Sequence, residues 1–211
     1  MAALIARDAR ETVHARESMS DHSPKAECYI VVDVEASGPN PGQYALLSVG
    51  ACTLDQPRHT FYVELQPDKA AFTAEAMAVN GLSLEALAAR GLPPGEALGR
   101  FAGWLAQNLP PGARPVFTAF NAAFDWMFVN DYFWRYLGYN PFGHAALDIK
   151  AYYVGQHGAF WGQSSHRLIS RRYGEEAALT HHALDDALDE ARLFETMLAE
   201  RRSNRNQEER I

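Results

Sequence analysis

Cysteine is scarce in this chain: two of 211 residues, Cys28 and Cys52. Two thiols can build neither a disulfide framework nor a four-cysteine zinc site. Such sparse usage fits a reducing, cytoplasmic setting. No run of about 18 apolar residues occurs, which argues against a membrane-spanning helix. Met1-Ala2-Ala3-Leu4-Ile5-Ala6, followed at once by Arg7 and Asp8, is too short and too quickly charged to read as the apolar stretch of a secretory signal. Positive charge is in deficit, with 19 Lys and Arg against 26 Asp and Glu, a net charge of −7. That balance disfavours a protein that coats duplex nucleic acid. It leaves room for a nucleic-acid enzyme, because carboxylates gathered to hold metal ions push the sum negative. No internal repeat and no long low-complexity tract is present.

What remains is ordinary globular material, 47% apolar and 21% charged, enough for one domain with a core. Residues 1–27 are charged and poor in large apolar groups, and read as a flexible N-terminal extension. Residues 28–199 read as the folded domain, and 200–211 as a polar C-terminal tail without an apolar face. Within the domain, Cys28–Val34 is a β-branched apolar run fit for a buried strand. The Pro39-Asn40-Pro41-Gly42 break follows, then two more strand-like runs, Tyr44–Leu54 and His59–Leu65. Together they predict an antiparallel meander. Helical patterns start at Ser83 and at Pro94, the latter running to Leu109. Pro115–Ala119 reads as a strand, and Asn121–Leu137, Leu168–Tyr173 and Ala183–Leu198 as helices. Strands first and helices alternating later predict an α/β domain with a mixed sheet.

Acidic residues recur at the ends of these elements. Asp33 and Glu35 stand two apart on the first strand and so share one face. Two such carboxylates either end in solvent or are held by a divalent cation, for which oxygen ligands suit Mg2+ and Mn2+. Asp125 lies near the start of an aromatic helix, where it either interacts with the helix dipole or serves a site. Asp185 and Asp186 follow His181 and His182 at the start of the last long helix, a place where acids also serve as simple caps.

Taken in order, the three segments resemble the exonuclease motifs of the DEDD superfamily, in the branch whose third motif carries histidine. That branch includes ribonuclease T, oligoribonuclease and the proofreading subunits of bacterial DNA polymerase. Asp33-Val34-Glu35 is similar to its Asp-x-Glu motif, and Asn121-Ala122-Ala123-Phe124-Asp125 to Asn-x-x-Phe-Asp. His181-His182-Ala183-Leu184-Asp185-Asp186-Ala187 is similar to His-x-Ala-x-x-Asp-Ala. The four-residue gap of that third motif selects His181 and Asp186 over His182 and Asp185. Two positions depart from the family pattern: Phe120 stands where histidine is common, and Ala36 where threonine is usual.

The resemblance implies a ribonuclease H-like fold, a five-stranded mixed sheet flanked by helices, with residues 28–199 as the exonuclease domain. It implies a metal-dependent 3′–5′ exonuclease acting on single-stranded nucleic acid with a free 3′ end, or on short oligonucleotides. Two Mg2+ or Mn2+ ions would be held by Asp33, Glu35, Asp125 and Asp186, with His181 as general base. Histidine suits that task because its ordinary pKa lies near neutrality. Val34, Ala36, Ser37, Met77 and Asn80 are the implied contacts to the terminal nucleotide, although methionine is also a common core filler. The aromatic residues of 126–139, Phe160 and Trp161 in a glycine-rich stretch, and Arg167, Arg171 and Arg172 are further candidates for bases or phosphates. A proofreading subunit and a catalytically idle adaptor on the same fold are the alternatives. Nothing in 200–211 supports a polymerase partner, a homodimer is compatible with the sequence, and RNA and DNA are not distinguished.

Overall fold

The computed structural model describes residues 26–174 and 180–208. The expected N-terminal extension lies outside the described residues up to position 25. Five strands form one mixed sheet: β1 (Glu27–Ala36), β2 (Leu46–Thr53), β3 (Thr60–Glu64), β4 (Arg114–Ala119) and β5 (Ala146–Asp148). Their order is β3-β2-β1-β4-β5. The first three form the antiparallel meander, while β4 joins β1 and β5 joins β4 in parallel. The architecture is the ribonuclease H-like fold expected.

Alternation along the central strand sorts the two cores. Ile30, Val32, Val34 and Ala36 point to one face and Val31 to the other. The first face packs against α3 (Pro94–Asn108) and α4 (Ala123–Leu137) through Leu98, Phe101, Phe128 and Phe133. The second packs against α5 (Ile149–His157), α6 (His166–Arg172) and α7 (Ala183–Glu208) through Ile149, Ile169, Ala191 and Phe194. A small third cluster holds α1 (Ala74–Asn80) and α2 (Leu84–Arg90) beside Ala45 and Leu47. Local chemistry fixes the ends of these helices. Thr73, Ser83 and Asp148 cap α1, α2 and α5 by accepting backbone N–H groups, Pro94 opens α3, and Gly81 and Gly138 close α1 and α4 in the left-handed region.

Four segments differ from their sequence reading. α1 and β5 carry too few periodic residues to be seen; β5 exists because β4 offers it an open edge. The glycine-rich stretch from Tyr152 is helical as far as His157, held by Tyr153 in the core. Residues 200–208, expected as part of an unpatterned tail, continue α7. Glu200 anchors the first of them: it accepts hydrogen bonds from Tyr173 Oη at 2.5 Å and Gln156 Nε2 at 3.2 Å. Side-chain contacts therefore carry the helix past the end of its apolar stripe.

Candidate active site

Asp33 and Glu35 stand on the face of β1 that meets α7, at the end of the strand where the polypeptide leaves the sheet. β4 ends beside them and turns through Asn121 into α4, which puts Asp125 in the first turn of that helix. Asp125 is buried, and its Oδ1 accepts the Val34 N–H at 3.1 Å, a bond that fixes it against β1. On the other side, α7 begins at Ala183, and Asp186 lies in its first turn. Its two oxygens are pinned by the preceding loop: Oδ1 accepts Thr180 N–H at 2.8 Å and Thr180 Oγ1 at 3.1 Å, and Oδ2 accepts His181 N–H at 3.0 Å.

Both acid-bearing helices are entered through a left-handed residue that is not glycine, Asn121 (φ 61°) and His181 (φ 57°). Few residues other than glycine adopt that region, asparagine and histidine more readily than most, and such backbone positions cluster at functional sites. His181 is the member of its pair that faces the cavity. His182 turns away, stacks on Tyr62 with ring centroids 4.5 Å apart, and lies 3.4 Å from Asp185.

The four acids and His181 line one open cavity of about 620 Å³. Within it, Glu35, His181 and Asp186 each present a ligand atom, all within 4.8 Å of one another. Burial and mutual repulsion dominate the electrostatics. Burial, with Asp125, Glu190, Glu35 and Asp186 adding to it, holds the Asp33 carboxyl far above its ordinary range. Glu35 is pushed up to about 8 by burial, then by Asp186 and Asp125. Asp125 is also raised to about 8 by burial, against the backbone hydrogen bonds that favour its charged form. A cluster of this kind holds protons near neutral pH unless cations replace them. The oxygen-rich donor set with one imidazole fits divalent metal ions.

Two buried, titratable residues of the cavity escaped the sequence reading. Glu190 sits on α7 one turn beyond Asp186, and that spacing of four was the signal for it. It is buried, and burial followed by Asp125 raises its carboxyl well above the usual range. His166, at the start of α6, is buried on the cavity wall, and burial lowers its imidazole below the ordinary value. Nothing in its local sequence marks it.

Of the implied nucleotide contacts, Val34, Ala36 and Asn80 line the cavity. Ser37 does not: fully buried, its hydroxyl donates to Ala71 O at 2.8 Å and accepts Ala45 N–H at 2.9 Å, which ties the loop after β1 together. Met77 packs in the small cluster with Leu47 and Leu87, as a filler side chain does. Asn80 spends its amide on structure, donating to Ala36 O at 3.1 Å and accepting Leu82 N–H at 3.0 Å. The aromatic residues of 126–139 face the core or solvent away from the cavity, whose aromatic wall is Phe120 and Phe124.

The family model for exonucleases matches residues 30–194. The chain belongs to that family. It is 45% identical over 168 residues to the 3′–5′ DNA exonuclease Cap18 of Escherichia coli, a match covering 80% of this chain and 90% of the relative. The fold is shared with the nuclease domain of 3'hExo, a DEDDh family member solved bound to rAMP. That comparison has a TM-score of 0.69 at 16% identity and covers 82% of this chain and 92% of that one. It is shared too with E. coli exonuclease I solved in complex with a dT13 oligonucleotide, with a TM-score of 0.64 at 17% identity over 86% of this chain and 43% of that one. The protein is thus an exonuclease of that family, with a candidate divalent-metal site at Glu35, His181 and Asp186.

Proposed function

We propose that the protein removes nucleotides from the 3′ end of single-stranded DNA, with two Mg2+ or Mn2+ ions held by Asp33, Glu35, Asp125 and Asp186. The observation that carries this reading is the meeting of those four carboxylates and His181 in one open cavity. Bound divalent ions would compensate the carboxylates, activate water and offset the charge that develops in phosphodiester hydrolysis. Asp33, near the end of β1, would hold the ions together with Glu35 and Asp186 on the His181 side of the cavity and Asp125 on the α4 side. An imidazole nitrogen of His181 takes the proton of the attacking water. Val34 and Ala36 offer apolar surface to the terminal nucleotide, since Val34 N–H is committed to Asp125 and Ala36 C=O to Asn80. DNA is preferred here to RNA because the 45% identical E. coli relative is described as a DNA exonuclease. A reducing, cytoplasmic setting completes the proposal and rests on the unpaired thiols of Cys28 and Cys52.

The test is a time course on short 5′-labelled DNA and RNA of one sequence, resolved on a sequencing gel. With divalent ions, DNA shortens stepwise from its 3′ end; excess chelator stops the reaction, and a blocked 3′ terminus protects the strand. Cleavage of a closed circular single strand would defeat the exonuclease reading, and faster loss of RNA would defeat the choice of DNA.

A further inference from the structure

Glu190 and His166 line the cavity together with the motif residues, yet neither belongs to any of the three motifs. Glu190 is 4% exposed, and its Oε2 accepts the Phe120 N–H at 3.0 Å. A carboxylate among four others is a costly way to satisfy one backbone N–H, because an amide oxygen would do so without the charge. His166 is 8% exposed, and its ring stands edge-on to Phe120 at 5.1 Å and 80°. Its Nε2 is enclosed without a hydrogen-bond partner. An enclosed nitrogen without a partner, beside a cluster of acids, points to a bound ligand. Asp186 acts electrostatically on both residues, which places them around one region of the site.

We infer that Glu190 and His166 extend the divalent-ion site: Glu190 as a fifth carboxylate and His166 as a nitrogen donor, direct or through water, that favours Mn2+ over Mg2+. The preference follows from ligand chemistry, since imidazole suits the softer transition ions while Mg2+ demands oxygen. This inference rests on the metal-dependent reading above.

Calorimetric titration of the full chain with Mn2+ and with Mg2+, without nucleic acid, separates the two. Glu190→Gln keeps an amide oxygen for Phe120 N–H, and His166→Leu fills similar volume without a nitrogen; thermal melts confirm that both fold. Glu190→Gln should weaken binding of both ions about 10–100-fold, the range for groups that support a metal site. His166→Leu should weaken Mn2+ about tenfold and leave Mg2+ within about twofold. Wild-type isotherms for Glu190→Gln would overturn the fifth carboxylate. Equal effects on both ions, or none, in His166→Leu would overturn the nitrogen donor. If the wild type takes up no divalent ion, or Asp33→Asn binds like the wild type, the metal-dependent reading itself fails.

Discussion

At the scale of single residues, two adjacent imidazoles have opposite surroundings. His181 faces the carboxylates from a left-handed backbone position, while His182 stacks on Tyr62 and neighbours Asp185. Replacing His181 with alanine should lower the single-turnover rate by about 10²–10⁴-fold, the usual worth of a positioned general base. Divalent-ion stabilisation should persist in that variant. His182→Ala should cleave at close to the wild-type rate and lose about 0.5–1.5 kcal/mol of stability with its ring contact. Rapid-quench kinetics and chemical denaturation of both variants check this. An inactive His182→Ala beside an active His181→Ala would reverse the assignment of the third motif.

Among the secondary-structure elements, the contact of β2 with α7 sets the site. Gly50 lies opposite Asp33 in the β1–β2 ladder, and a Cβ placed on it would come within 2.2 Å of the backbone at Ala183 and Leu184. The helix that carries Asp186 can approach the sheet only because this residue has no side chain. Gly50→Ala should therefore cost about 1–3 kcal/mol or more through overpacking. It should also reduce kcat far more than a surface substitution of equal stability cost, because Asp186 and His181 move with α7. Paired denaturation and rate measurements on Gly50→Ala and on a destabilising change in α2, remote from the cavity, test the link.

For the whole molecule, charge and stability are coupled through the cavity. In the metal-free protein Glu35 and Asp125 release their protons near pH 8, against ordinary values of 4.5 and 3.8. The folded state thus binds more protons than the unfolded state between those limits, and stability falls as pH rises through the window. Each pKa unit corresponds to about 1.4 kcal/mol, so the loss between pH 5 and pH 8 is on the order of a few kcal/mol. On the acid side Asp68 acts in the opposite sense. Burial opposes its ionisation, but hydrogen bonds from Tyr132, Tyr136, Lys69 and Arg135 lower it to about 2, and its contribution is lost as pH falls below 3.8. Thermal melts in chelator should show greatest stability near pH 4, where those two windows meet. Divalent ions should raise the melting temperature at pH 8 much more than at pH 5, where protons already neutralise the cluster. A flat pH profile in chelator would show that the carboxylates do not form a buried cluster.

Local sequence determined the central strand, the antiparallel meander and the helices of 94–109, 121–137 and 183–198, because each carries its own hydrophobic period. The resemblance of three segments to the exonuclease motifs singled out Asp33, Glu35, Asp125, His181 and Asp186, where local spacing left simple capping or solvated acids open. Contacts between distant segments decided the rest. β5 is three residues long and exists only as the partner of β4, and α7 reaches Glu208 with Glu200 held from α5 and α6. Ser37 and Met77 have the residue types of a nucleotide contact but are consumed by packing and hydrogen bonds from segments far along the chain. Glu190 and His166 join the cavity only when α6 and α7 close over the sheet. A linear pattern records what repeats along one element; which faces of different elements meet is fixed by burial of the whole core.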